Sequence, residues 1–229
     1  MNWKAPLTEL IGTFTLCFIG IASGIVAPQL GIAAPAFAHG LVVTGLIYTY
    51  GHLSGAHFNP AVTVGFLTGS KISFNKAIVY IMAQFIGGVI AAYVIVMLLG
   101  GSESTVVFSF LESDTFNYGE TVGFLTEQHV WQAAAIEGIL VFFLLSVIYQ
   151  AAIYNKAGNN AGLAIGLTLT ALIFATGSMT GASINPARTL GPALVSGNLS
   201  YVIPYFVGLF AGGVVGGAVH AYILAPAEE

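Results

Sequence analysis

Charge is almost missing from this chain. Five Lys and Arg and nine Asp and Glu make up 6% of its 229 residues, where a soluble domain carries about a quarter. That scarcity excludes the ordinary soluble classes. The formal net charge of −4 excludes the basic surface that nucleic-acid binding needs. Cysteine is reduced to Cys17, so an intramolecular disulfide is ruled out.

What fills the chain is apolar. Hydrophobic residues reach 57%, and the mean hydropathy is +0.90. A helix needs ~20 apolar residues to cross a ~30 Å hydrocarbon core. Six segments meet that need, at about 7–27, 35–51, 77–100, 131–154, 161–178 and 201–225. The first carries Glu9 within its apolar run and is followed by five more, so it reads as a retained span and not as a cleaved signal. All 229 residues are assigned to one membrane domain: repeat one over about 5–100, a connection over 101–130, and repeat two over about 131–226.

Within that domain Asn59-Pro60-Ala61 recurs as Asn185-Pro186-Ala187, 126 positions later. Ser54-Gly55-Ala56-His57-Phe58 precedes the first copy and Thr180-Gly181-Ala182-Ser183-Ile184 the second. Asn caps free helical N–H groups and Pro fits the first helical turn, so each copy starts a helix. The apolar runs that follow are ~10 residues, about 15 Å of helix, which reaches halfway across and no further. Gly65 and Gly191 are expected to close them. Backbone outside a helix survives at membrane depth only where it is buried in protein or lines a wet cavity, so a conduction or binding site is expected at these loops.

The halves match further. Glu9 pairs with Glu137, and Tyr80 with Gly87-Gly88 pairs with Tyr205 with Gly212-Gly213. Three spans per half is an odd number, so the second half enters from the opposite face. The expected fold is an all-α membrane protein with six transmembrane helices and two re-entrant half-helices in an inverted 3+3 repeat. Each short helix then points about half a positive charge at the centre. Lys4, Lys71, Lys76 and Lys156 fall on one side of this arrangement. The 101–130 connection holds Glu103, Glu112, Asp114, Glu120 and Glu127 and no Lys or Arg. The positive side is the cytoplasmic one, which places both termini in the cytoplasm of a cell membrane.

The stretch Ser54-Gly-Ala-His-Phe-Asn-Pro-Ala-Val-Thr63 and the stretch Gly181-Ala-Ser-Ile-Asn-Pro-Ala-Arg188 resemble the signatures of the aquaporin, or major intrinsic protein, family. The resemblance extends from the first span to the sixth. It implies a water pore through each protomer of a homotetramer, excluding protons and ions, with no cofactor, no metal and no catalysis. Two facing positive helix ends as a cation barrier are already recognised in pores of this kind. In the family both Asn side chains cap their helices and also donate to water, while Pro60 and Pro186 are structural.

The family's narrow filter maps onto His39, Ile173, Ala182 and Arg188 by position relative to the two Asn residues. Strict water channels typically carry Phe and His at the first two of these. A His/Ile/Ala/Arg set reads as a wider, less polar opening, similar to that of plant vacuolar members that pass ammonia as well as water. Arg188 is costly near the membrane interior, so it is expected to line water and be braced by carbonyls. Its role is a fixed positive barrier and a donor. His39 can in principle change charge near neutral pH. Glu9 and Glu137, as a matched intramembrane pair, are expected to accept hydrogen bonds from the loops leading into the short helices. His57 is expected to support the first of those loops. Relatives with a Cys at the position of Ala182 are blocked there by mercurials, so with Cys17 in mid-span only weak block is expected.

Three other readings compete. A glycerol or small-polyol facilitator typically has Asp directly after the motif Arg and a basic residue four further on, where this chain has Thr189 and Ala193. Such members also lack the aromatic pair that Tyr205-Phe206 supplies. An ion-coupled secondary transporter needs an ion site beyond the symmetric pair Glu9 and Glu137. An intramembrane serine hydrolase would use Ser54 with His57, yet the second copy has Thr180 and no nearby His, and a triad is defined by geometry.

Overall fold

The computed structural model describes residues 3–99 and 118–227, so the acidic residues at 103, 112 and 114 lie outside the described residues. The described chain is helical. Its elements are α1 (Lys4–Ile25), a short α2 (Ala27–Leu30), α3 (Ala33–Ser54), α4 (Pro60–Thr68), α5 (Phe74–Leu99), a short α6 (Phe124–Gln128), α7 (Val130–Val147), α8 (Ala161–Thr180), α9 (Pro186–Ser196) and α10 (Val202–Ala218). Single π-helical turns extend α7 over Ile148–Ile153 and α10 over Val219–Ile223.

Five of the long helices are apolar and long enough to span a bilayer. The sixth, α3, has 22 residues but is diluted by His39, His52, Thr44, Thr49, Tyr48 and Tyr50. Part of that polarity serves the interior, while Tyr48, Thr49 and His52 are exposed. His39 lies at the cavity, and Thr44 and Tyr48 hydrogen-bond the carbonyls of Gly162 and Asn159.

Packing follows the inverted repeat. In the first half α1 packs on α5 and α3, and in the second α7 packs on α10 and α8. The halves join where α3 crosses α8. Each short helix leans on the last span of the other half: α4 on α10, and α9 on α5. Each short helix thus takes most of its helix packing from the other repeat.

Gly65 and Gly191 do not close the short helices. Both lie inside, and the helices end at Gly69 and Gly197. A Cβ on Gly191 would stand 2.5 Å from the carbonyl oxygen of Gly88, and one on Gly65 would stand 2.6 Å from Leu145 Cδ1 and 3.1 Å from the Gly213 oxygen. The sequence cue was right about a requirement for Gly but wrong about its cause, which is close helix packing.

The ends of the spans show which loops share a face. Lys71, between α4 and α5, places Nζ 5.6 Å from the ring centroid of Tyr154, just beyond α7. The connections carrying Lys71 and Lys156 are therefore neighbours, as the charge pattern requires.

Candidate functional site

Asn59 and Asn185 both have extended backbone, at φ −155 and −146, immediately before a Pro at the first helical position. Asn59 Oδ1 accepts from Ala61 N at 2.9 Å and Val62 N at 3.4 Å, and Asn185 Oδ1 accepts from Ala187 N at 3.0 Å. The amide nitrogens reach across the repeat. Asn59 Nδ2 donates to the Ile184 carbonyl at 2.8 Å, and Asn185 Nδ2 donates to the Phe58 carbonyl at 2.9 Å. The two helix starts are thus stitched to each other. Each amide uses one of its two N–H groups in the stitch.

The loops that deliver the Asn residues are strained in matching places. Ala56 and Phe58 in the first and Ala182 and Ile184 in the second have left-handed backbone, with φ of 54, 49, 42 and 58. Non-glycine residues pay ~1–2 kcal/mol for that region, so something must hold the loops. Glu9 and Glu137 do so. Ser54 Oγ and His57 N donate to Glu9 Oε1 at 2.6 and 3.0 Å, and Phe58 N donates to Oε2 at 2.7 Å. Thr180 Oγ1, Ser183 N and Ile184 N make the same three bonds to Glu137 at 2.7, 3.0 and 2.7 Å. Tyr80 and Tyr205 complete the match by donating to the carbonyls of Ser54 and Thr180 at 2.8 and 2.6 Å. The first half has one extra donor, Gln84 Nε2, at 2.8 Å from Glu9 Oε2.

This geometry also removes the hydrolase reading. Ser54 Oγ is spent on Glu9, and His57 Nδ1 pairs with Thr63 Oγ1 at 3.1 Å. The His57 ring packs against Phe66 and Tyr80, so Ser54 and His57 do not pair with each other.

A cavity of about 150 Å³ runs past the two Asn residues. One wall is the loop backbone of Gly55, Ala56, His57 and Phe58, and the opposite side is aliphatic, with Val43, Ile47, Leu144 and Ile148 among it. His39 and Arg188 border it as well. Arg188 is 4% exposed and His39 7%. Arg188 donates from Nη1 to the Gly119 carbonyl at 2.7 Å, from Nη2 to the Gly20 carbonyl at 3.3 Å and from Nε to His39 Nε2 at 3.3 Å. Ile173 and Ala182 are equally buried but belong to the core cluster and do not border this cavity. Of the four mapped positions, the structure brings His39 and Arg188 together and places Ile173 and Ala182 outside the lining.

The two braces on Arg188 escaped the sequence reading because a backbone carbonyl leaves no side-chain signature. Gln84 also escaped it, since its counterpart by spacing is Leu209 and the repeat gives no hint. Ser54 and Thr180 were visible, as hydroxyl residues five positions before each Asn.

The profile described as Major intrinsic protein matches residues 1–220. Aquaporin NIP1-2 of Oryza sativa subsp. japonica is 37% identical over 204 residues, covering 87% of this chain and 64% of its own. Nodulin-26 of Glycine max is 36% identical over 88% of this chain and 70% of its own. The chain therefore spans about two thirds of the length of these relatives. An aquaglyceroporin from Plasmodium falciparum superposes with a TM-score of 0.82 over 99% of this chain and 98% of that one, at 24% identity, a likeness of fold alone. Stitched Asn-Pro helix starts, a carboxylate under each loop and a profile match over nearly the whole length agree: the chain belongs to the major intrinsic protein family and has its membrane fold of six spans and two half-helices.

Proposed function

We propose that the protein is a passive water channel that excludes protons and ions. The observation that carries this reading is the pair of facing amides. Asn59 and Asn185 border an otherwise largely aliphatic cavity at the meeting point of two helix N-termini. Each amide keeps an N–H beyond the one used in the stitch. Water oxygen accepts from both, which turns the molecule and interrupts the chain of donors along which a proton would hop, while the helix ends repel cations. The aliphatic wall opposite the loop backbone offers no partner of its own, so passage stays fast. The names of the relatives, aquaporins of the NIP group, support a channel for water and small solutes, and Thr189 favours water over a polyol. The Thr189 hydroxyl, where facilitators carry Asp, is 2.6 Å from Ser183 Oγ.

Arg188 and His39, which border the cavity, are assigned to the outer constriction, with Arg188 as the charged barrier; Ile173 and Ala182 are assigned to it by their spacing from the Asn pair alone, beyond the end of that cavity lining. Ile173 and Ala182 offer no polar atom of their own side chains, which favours ammonia as a second permeant. The working protein is a homotetramer in the cell membrane, with Lys71 and Lys156 on the cytoplasmic side. The ion-coupled transporter is disfavoured because Glu9 and Glu137 both spend their oxygens on the loops.

The filter part is tested with His39→Phe/Ile173→His in proteoliposomes. Ammonia flux falls while water flux persists. Equal ammonia flux in wild-type and empty vesicles contradicts the ammonia reading and leaves a plain water channel.

A further inference from the structure

Among the described residues, Arg188 is held from outside the two repeats by one backbone group, the carbonyl of Gly119. That group belongs to the strap running from Tyr118 to α6. Gly119 has φ +67, and a Cβ on it would lie 2.8 Å from the Ile21 carbonyl oxygen. The strap is therefore pressed against α1 at the level of the guanidinium. At its far end Gly123 N donates to Thr126 Oγ1, which pairs with Tyr205 Oη at 2.7 Å. Between these two points stands Glu120, the next residue after the brace.

The Glu120 carboxylate turns away from the cavity and onto the end of the second short helix. Oε1 accepts from Ser196 Oγ, on the last residue of α9, and Oε2 accepts from Asn198 Nδ2 at 3.2 Å. Asn198 is held in turn by Ser200 Oγ, which donates to its Oδ1 at 2.7 Å. Ser196 and Arg188 ride on the same short helix, two turns apart. A closed ring results: Arg188 to the Gly119 carbonyl, along one peptide to Glu120, across to Ser196, and back along α9 to Arg188.

We propose that Glu120 is a positioning residue of the outer constriction, clamping the strap to α9 so that the Gly119 carbonyl stays within reach of Arg188. This rests on the assignment of Arg188 to the constriction. A guanidinium that loses one of its fixed acceptors is free to swing, and the opening it borders loses its set width. Glu120 touches no permeant; it acts through Gly119 on Arg188. Burial pushes the Glu120 carboxyl up from its ordinary value, against the pull of Ser196 and Asn198. A half-buried carboxylate with two fixed donors suits a clamp better than a freely solvated surface charge.

The test measures urea and water permeability of proteoliposomes carrying wild type, Glu120→Ala, Glu120→Gln and Ser196→Ala/Asn198→Ala, each also in an Arg188→Val background. With Arg188 present, Glu120→Ala and the double variant raise the urea-to-water ratio by about threefold or more, the size expected when positions share one hydrogen-bonded chain. Glu120→Gln, which keeps one acceptor oxygen and the length, gives a smaller rise. In the Arg188→Val background none of them changes the ratio. The proposal is overturned if the ratio is unmoved with Arg188 present, or if it moves equally in both backgrounds. If Glu120→Ala does not assemble, Ser196→Ala/Asn198→Ala breaks the same clamp from the other side and decides the matter alone. A wild type that conducts no water overturns the channel reading itself, and the clamp with it.

Discussion

His39 Nε2 accepts a hydrogen bond from Arg188 Nε at 3.3 Å, while His39 Nδ1 stands 2.7 Å from the carbonyl of Pro35. A carbonyl only accepts, so the proton is on Nδ1 and the Nε2 lone pair faces the guanidinium. Both ring nitrogens are thereby used, and His39 presents carbon and not a polar edge to the cavity. Its contribution is to hold Arg188 on the side of α1 and α3, where Gly20 leaves room: a Cβ there would stand 2.3 Å from His39 Nε2 and 3.1 Å from Arg188 Nε.

Replacing Gly20 with Ala tests that arrangement. The added methyl displaces either His39 or Arg188, so the urea-to-water permeability ratio changes by a few-fold, as for two groups in one network. Gly45→Ala, at an open position, leaves the ratio unchanged. Stopped-flow permeability of both variants reads the difference.

Glu137→Ala leaves Thr180 Oγ1, Ser183 N and Ile184 N without their acceptor, at ~1–3 kcal/mol for each buried orphan. Melting of the purified protein in detergent falls steeply. Glu137→Gln keeps the shape but aims an NH₂ at N–H donors, so it rescues little. Glu9→Gln is milder, because Gln84 lies beside the carboxylate and its amide can rotate to offer oxygen in place of nitrogen.

Gly191→Ala presses a methyl to 2.5 Å from the Gly88 carbonyl. Backbone cannot step aside as a flexible side chain does, and overpacking of this kind costs ~1–3 kcal/mol or more. Thermal melting shows the loss. Gly31→Ala meets no neighbour and pays only for its φ of +72.

These predictions draw on features the sequence displayed unequally. The repeat was legible because Asn-Pro is a helix start written in side chains. The matched Glu and Tyr residues were legible because symmetry doubles every signal. Gly65 and Gly191 were legible as needed glycines, but their partners, Gly213 and Gly88, lie a helix away and a single sequence does not name them. Least legible was the outer constriction. Gly20 and Gly119 act through carbonyls, and Glu120 works only because its strap folds back onto α9. Spacing from the Asn pair pointed to Ile173 and Ala182 alongside His39 and Arg188, yet spacing carries no information about which side chain borders a cavity.

Cys17 is fully buried against Ile21, Ala91, Ala92 and Ile95. Mercurials therefore block wild-type water flux weakly and slowly. Ala182→Cys, by contrast, introduces fast block reversed by thiol if Ala182 faces the permeant path at the constriction. Rapid thiol-reversible block of the wild type contradicts the mapping.

The proposed clamp through Glu120 carries a pH dependence. Burial raises its carboxyl, the hydrogen bonds from Ser196 and Asn198 opposing, so as pH falls it takes up a proton earlier than an ordinary carboxylate. The ionised form holds both donors; the protonated form gives up one acceptor. Arg188, through Gly119, and Tyr201 are the titratable neighbours along this chain of contacts, and both keep their protons on the acid side of neutrality. Urea leak therefore rises on acidification, beginning at a higher pH than an unperturbed carboxylate would give, and Glu120→Gln removes the pH dependence.

The central claim is that the paired Asn amides line a conducting path for water. Stopped-flow light scattering on proteoliposomes, with a pH-sensitive dye inside the vesicles, measures it directly. The account predicts osmotic shrinkage much faster than in empty vesicles, with a weaker temperature dependence, and no added proton leak. Shrinkage no faster than in empty vesicles, or water flux accompanied by proton flux, contradicts it.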